Sequence, residues 1–234
     1  MFLGQREWKD TPTSKRPATT WRGRGQLFMA LGLFAPSQGA TVVAPWATGR
    51  PICAGSSITA EHRVYFRDLL DLPFDARSGS VDVLALLAAL PVTPRSVIEQ
   101  VFSDHGRKSE FQQRYGQLDL SKIDWVLAEL TASGVAGATV DPGFASWTHN
   151  VERRLEGFSV DGWACIDVRP DIVAQWAAHK TWKTPPVLLD GFTFAGLHLM
   201  EGHTRIGVLR GALSVAAIDA ASVHAAWIGR VNRN

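Results

Sequence analysis

Apolar residues recur at three- and four-residue steps through the middle of this chain and gather into short runs toward its end. Ala60 to Leu72 carries His62, Tyr65, Phe66, Leu69 and Leu70 at helical spacing, which predicts a helix there. Ser80 stands where a cap would start a second helix through Val83, Leu84, Ala85, Leu86 and Leu87. Thr93-Pro94 is a start signal for a third, whose face holds Val97, Ile98, Val101 and Phe102 and which should stop near Gly106. Phe111 to Tyr115 reads as a short helix ended by Gly116. Leu118 to Leu130 fits helix or strand. Asp141-Pro142 opens a further helix with Trp147, Val151 and Leu155 on one face.

Beyond that point the period changes. Trp163 to Val168 reads as a buried strand, and Pro170 to Lys180 as a helix with Ile172, Val173 and Trp176 as its apolar face. Pro186 to Leu189 is a predicted strand, Asp190-Gly191 a turn, and Leu197 to Met200 the returning strand. A helix over Thr204 to Gly211 and a last strand over Val223 to Ile228 complete the pattern. The class predicted is α+β, a mostly helical N-terminal part packed on a small mixed sheet. Three stretches follow: a basic arm and irregular segment over 1–57, a mainly helical region over 58–160, and an α/β module over 161–234. No Pro/Gly/Ser linker separates the halves, so residues 60–115 are expected to pack on residues 163–230.

Composition narrows this only modestly. The chain has 234 residues, 46% hydrophobic and 20% charged, which is ordinary for a folded protein. A net charge of +2 means that any electrostatic partner must be attracted locally. Arg6, Lys9, Lys15, Arg16, Arg22 and Arg24 make the first 25 residues basic; the plain reading is a solvated tail, the sharper one a nucleic-acid arm. Leu27 to Phe34 after Arg22-Gly23-Arg24 imitates a signal peptide but starts late for one and is too short to span a membrane. Cys53 and Cys165 lack zinc spacing, and Cys165 sits in an apolar run as a small hydrophobe. The expectation is a cytoplasmic protein with no membrane segment. Gly-x-Ser-x-Gly, a Walker loop, His-Glu-x-x-His and a dinucleotide fingerprint are all missing from the sequence.

The chemistry concentrates in Glu201-Gly202-His203-Thr204-Arg205, between a predicted strand and a predicted helix. A helix start offers N–H groups without internal partners and a partial positive charge. Gly202 would let an anion approach the backbone, Thr204 adds a hydroxyl, and Arg205 adds a fork suited to phosphate oxygens. His203 is suited to donate to phosphate or shuttle a proton, and Glu201 to serve as a base or hold a metal on a nucleotide. On these grounds Arg205→Ala should cost phosphate binding and leave the fold largely intact. The competing reading is structural: a Glu201–Arg205 ion pair, a capping His203 and a turn glycine. Asp104, His105, Arg107 and Lys183 are candidates for a second wall; the simpler reading of His105-Gly106-Arg107 is a helix C-terminus. Trp182 beside Lys180 and Lys183 fits either packing or base stacking. Trp125, Trp147, Trp163, Trp176 and Trp227 are expected in the core.

Pro185-Pro186-Val187-Leu188-Leu189-Asp190-Gly191, followed by Leu199-Met200-Glu201-Gly202-His203-Thr204-Arg205, resembles the ParB/sulfiredoxin-like superfamily over roughly residues 163–230. The resemblance implies a helix, a strand, a hairpin and a second strand ending in a Gly-x-x-Arg turn, then a helix. It implies that Gly202, His203 and Arg205 contact nucleotide phosphates, with Glu201 where a free-serine kinase branch keeps an acid. Chromosome-partitioning members bind CTP at this turn, and some relatives are reported as DNA nucleases. The resemblance thus implies a nucleotide or other phosphate ligand. It extends to a nucleoside triphosphate with Mg2+, phosphotransfer or phosphodiester hydrolysis, and nucleic acid as a further partner. A non-catalytic nucleic-acid-binding or interaction module that keeps the fold is the alternative. His203 stands where sulfiredoxins carry cysteine, and the doubled arginine of partitioning proteins is missing. Val101 to Arg107 and Glu110 to Gly116, taken with the same turn, also look like a family of uncharacterised bacterial proteins.

Overall fold

The computed structural model describes residues 63–167, 169–193 and 196–232. The basic arm, the signal-like segment, Cys53 and the start of the helix expected from Ala60 lie outside the described residues.

Short helices make up the first half. Tyr65 bridges to Asp119, and a 3-10 turn, Phe66–Asp71, stands where the longer helix was expected. Helix α1 (Val83–Ala89) is capped by Asp82, whose carboxylate accepts from the Ala85 N–H, and not by Ser80. Helix α2 (Arg95–Val97) follows Pro94 and runs on as a π-helical stretch, Ile98–Ser103. Thr93 does not cap it; its hydroxyl is buried without a hydrogen-bond partner. Helix α3 (Ser109–Tyr115) ends at Gly116 as predicted.

The ambiguous stretch is strand β1 (Ile123–Thr131), followed by α4 (Ala132–Ala136). Helix α5 (Pro142–Arg153) starts at Asp141, whose side chain accepts from the Gly143 N–H. After α6 (Phe158–Asp161), the expected strand at Trp163 is instead a 3-10 turn, Gly162–Cys165. Its apolarity has another use. Trp163 buries itself against Phe158 and stacks on Trp176 at 5.8 Å, an aromatic cluster that needs no sheet partner. Helix α7 (Pro170–His179) then leads to β2 (Val187–Thr193), β3 (Gly196–Glu201), α8 (His203–Ser214) and β4 (Val223–Val231). Asp190-Gly191 is not the hairpin turn. It lies inside β2 at an irregularity in the register, where Gly191 takes φ +76°.

The four strands lie in the order β1-β4-β2-β3, with β2 and β4 parallel and the other pairs antiparallel. Strand β2 is buried on both faces of the sheet, which is why Val187-Leu188-Leu189 reads as a continuous apolar run. Val187, Leu189 and Met200 face a core with Phe66, Leu69, Ile98, Phe102 and Tyr115. Leu188, Leu199, Ala226 and Ile228 face the other, with Val151, Leu155, Trp176, Ile206 and Leu209. The architecture is α+β, and the helical first half packs on the sheet as expected. It also lends the sheet an edge strand, since β1 comes from the region read as mainly helical.

Helices α5 and α8 approach unusually closely. A Cβ on Gly207 would stand 2.7 Å from the Thr148 carbonyl oxygen, and one on Gly211 2.5 Å from that of Glu152. Two glycines one turn apart therefore let the α5 backbone rest directly on α8.

Candidate functional site

Strand β3 ends at Glu201 and α8 begins at His203, so the predicted turn is where the sequence placed it. Gly202 takes φ +108°, a left-handed conformation that side chains resist. A Cβ there would also meet Pro186 Cβ at 2.6 Å. The glycine is thus required by the backbone and by Pro186, a reason different from the anion approach expected of it. No side chain caps α8, and its first intrahelical bond runs from the Ile206 N–H to the Gly202 carbonyl at 2.9 Å. The N–H groups of the first turn are left without intrahelical partners.

This turn forms one wall of a cleft of about 940 Å³. The start of α5 contributes Phe144 and Trp147, helix α7 contributes Asp171, Ile172, Gln175 and Trp176, and the following loop contributes Trp182, Lys183 and Thr184. Gly202, His203, Thr204 and Arg205 line it together with Glu201. The volume lies within the range of small-molecule sites, and the mixture of aromatic walls with a few convergent polar groups is typical of them.

Within the turn the side chains divide into two sets. Arg205 and Glu201 are engaged internally. Arg205 Nη1 donates to Gln100 Oε1 at 2.8 Å and to the Thr184 carbonyl at 2.7 Å, and Nη2 donates to Glu201 Oε1 at 3.2 Å. Glu201 Oε2 faces His105 Nε2 at 3.3 Å, and His203 Nδ1 lies 4.0 Å from the same oxygen. Burial pushes the Glu201 pKa up, but the His105 hydrogen bond and the Arg205 and histidine charges outweigh it, and the carboxyl is held below its ordinary value. Arg205 therefore ties the π-helical stretch, the loop before β2 and the end of β3 together, a different job from the free phosphate fork expected of it.

The second set is less committed. Thr204 Oγ1 accepts from Trp147 Nε1 at 3.2 Å, which leaves its own hydroxyl proton to be donated elsewhere. His203 packs on Phe144 with ring centroids 4.5 Å apart, and its Nε2 is buried without a hydrogen-bond partner. Burial lowers the His203 pKa, opposed by the nearby Glu201 charge. Lys183 is exposed and lines the same cleft.

Of the expected second wall, the structure brings Lys183 to the cleft and His105 to Glu201. His105 stacks flat on Phe111, 4.3 Å away, and does not line the cleft. Arg107 is turned elsewhere, donating to the Leu70 carbonyl with its guanidinium over the Phe74 ring at 3.8 Å. Asp104 is exposed and does not line the cleft. Arg114 pairs with Asp141 at 2.9 Å, which removes it from the set of free cations. Sequence reading missed two contributors. Gln100 gives no signal as a partner 105 positions from Arg205. Trp147 was assigned to the core, yet it is 54% exposed at the cleft.

No family model matches the chain, and no curated protein or solved structure matches it either. Among the described residues no helix is long and apolar enough to cross a membrane, and no cluster of three or more His, Cys, Asp or Glu could hold a metal ion.

Proposed function

We propose that the cleft binds a small phosphate ligand, with a nucleotide as the leading class, at the uncapped start of α8. The observation that carries this reading is the convergence, in one cleft, of free first-turn N–H groups, the Thr204 hydroxyl and Lys183. A helix start of this kind is a ready anion site. The resemblance of residues 163–230 to the ParB/sulfiredoxin-like superfamily supports the same ligand class, and the cytoplasm, rich in nucleotides, is the setting proposed.

The roles follow the two sets of side chains. The backbone of His203, Thr204 and Arg205, the Thr204 hydroxyl and Lys183 meet the phosphate. Glu201 and Arg205 hold the turn in shape. His203, whose pKa burial lowers, is the cleft-lining imidazole suited to carry a proton in phosphotransfer or hydrolysis. Glu201 does not fit as a Mg2+ ligand, because Oε1 accepts from Arg205 and Oε2 faces His105. Asp167 and Asp171 line the cleft beside Arg169 and interrupt any basic stripe, which favours a small ligand over a nucleic-acid backbone.

The test is a thermal-shift screen of inorganic phosphate, pyrophosphate and nucleoside mono- and triphosphates, with calorimetric titration of the best. A ligand at a hundred times its dissociation constant stabilises by about 2.7 kcal/mol, a rise of roughly 5–11 °C for a domain of this size. Lys183→Glu should remove the shift. A flat response to every phosphate compound would defeat the reading and leave the turn as a structural brace.

A further inference from the structure

An exposed tryptophan is not in itself a signal. The placement of Trp147 is. It sits in the second turn of α5, which begins at Pro142, with Phe144 one turn earlier packed on His203. The α5 backbone is seated on α8 through Gly207 and Gly211, so the indole is held from a rigid base. Its Nε1 reaches Thr204 Oγ1 at 3.2 Å, in the first turn of α8, while 54% of the residue remains exposed at the cleft. A large aromatic surface is therefore fixed beside the uncapped N–H groups rather than buried with the other core tryptophans Trp163, Trp176 and Trp182.

His203, at the same turn, lines the cleft, is 8% exposed, and holds its Nε2 buried without a hydrogen-bond partner, which costs free energy.

From this geometry we infer that Trp147 is the ring-binding platform of the cleft, and that the ligand is a phosphate ester carrying a flat aromatic ring, a nucleotide base above all. The inference rests on the phosphate reading above and adds the ligand's other end. The phosphate docks on α8. The ester runs past Thr204, and the ring stacks on the indole. The hydrogen bond from Trp147 also orients Thr204, because a hydroxyl that accepts from the indole N–H directs its own proton away from it. Stacking tolerates any base, so the platform selects for an aromatic ring and not for its identity.

The experiment compares three probes by calorimetry on the full chain: inorganic phosphate, ribose 5-phosphate and a set of nucleoside 5′-monophosphates. In the wild type, the nucleotides should bind roughly 5- to 150-fold more tightly than ribose 5-phosphate, the span of one base–aromatic stack. Trp147→Ala should erase that preference while phosphate and ribose 5-phosphate still bind. Trp147→Phe keeps a ring but loses the N–H, so it should retain the preference while weakening all three probes alike. Thermal unfolding of each variant controls for folding. The chain has nine tryptophans, so the difference in fluorescence between wild type and Trp147→Phe isolates quenching at this one. Equal affinity for nucleotides and ribose 5-phosphate would overturn the platform and leave the phosphate site standing. Equal loss of all probes in Trp147→Ala would also overturn it, reducing Trp147 to a support for Thr204. Failure of every probe, inorganic phosphate included, would sink both readings.

Discussion

Removing the guanidinium of Arg205 should unfold this protein more readily, and the structure allows the size of the effect to be worked out. Three well-placed acceptors, Gln100 Oε1, the Thr184 carbonyl and Glu201 Oε1, receive its N–H groups at 2.8, 2.7 and 3.2 Å. Hydrogen bonds to a charged group contribute about 1.5–3 kcal/mol each. Simple addition overstates the loss, since the side chain is 21% exposed and water would refill part of the space left by alanine. Breaking a buried ion pair by deleting one partner costs about 3–5 kcal/mol. The partial exposure places Arg205→Ala toward the low end, about 3–4 kcal/mol. For a domain of this size that is a drop of roughly 6–16 °C in Tm. Arg205→Lys keeps the charge but cannot serve three acceptors spread over three segments, and should recover less than half of the loss. Scanning calorimetry of the three proteins is the measurement. An Arg205→Ala protein that melts within about 2 °C of wild type would refute the brace and return Arg205 to the role of a phosphate ligand.

Three other outcomes follow from the same coordinates. Lys183→Ala, at an exposed position, should leave Tm unchanged and weaken inorganic phosphate binding roughly tenfold by calorimetry; unchanged affinity would remove Lys183 from the site. Gly211→Ala drives a methyl to within 2.5 Å of the Glu152 carbonyl oxygen, so α5 must shift, at a cost of about 1–3 kcal/mol in urea unfolding; full stability would mean that the helix contact is slack. His198 is buried between Tyr115 and Thr139, and burial, followed by the Arg114 charge, lowers its pKa from 6.5 to about 4. Between those values the unfolded chain takes up a proton that the fold refuses, so stability falls as pH drops from about 6.5 to about 4, by up to ~1.4 kcal/mol per pH unit. His198→Gln should flatten that slope in urea melts run from pH 7 to pH 4, and an equal slope in both proteins would place the titration elsewhere.

The sequence made local features legible and left contacts at long range hidden. The Glu-Gly-His-Thr-Arg turn lay where the apolar runs on either side had to break, and Asp141-Pro142 and Gly116 marked a helix start and a helix end correctly. Trp163 misled because an apolar run has the same appearance whether it enters a sheet or an aromatic stack. Asp190-Gly191 misled because a glycine with positive φ serves a bulge as readily as a turn. Ser80 lost the cap to Asp82, two residues later, since both side chains suit the role and only the chain path decides. At the site, the residue types were legible and their allegiances were not. Whether Arg205 faces a ligand or its own protein depends on Gln100 and Thr184, which no local pattern connects to it.

The brace at Arg205 separates two kinds of information carried by the same five letters. A chain that had lost its ligand altogether would still need the arginine, the glycine and the glutamate to join β3, the π-helical stretch and the loop before β2. Their presence in another sequence therefore marks ancestry of shape. On the proposed function, the residues free to be discarded when the ligand goes are Lys183, Thr204 and Trp147, since none of them is needed to hold those segments together. Sorting related chains by these three, rather than by the turn, would divide those that keep the occupation from those that keep only the architecture.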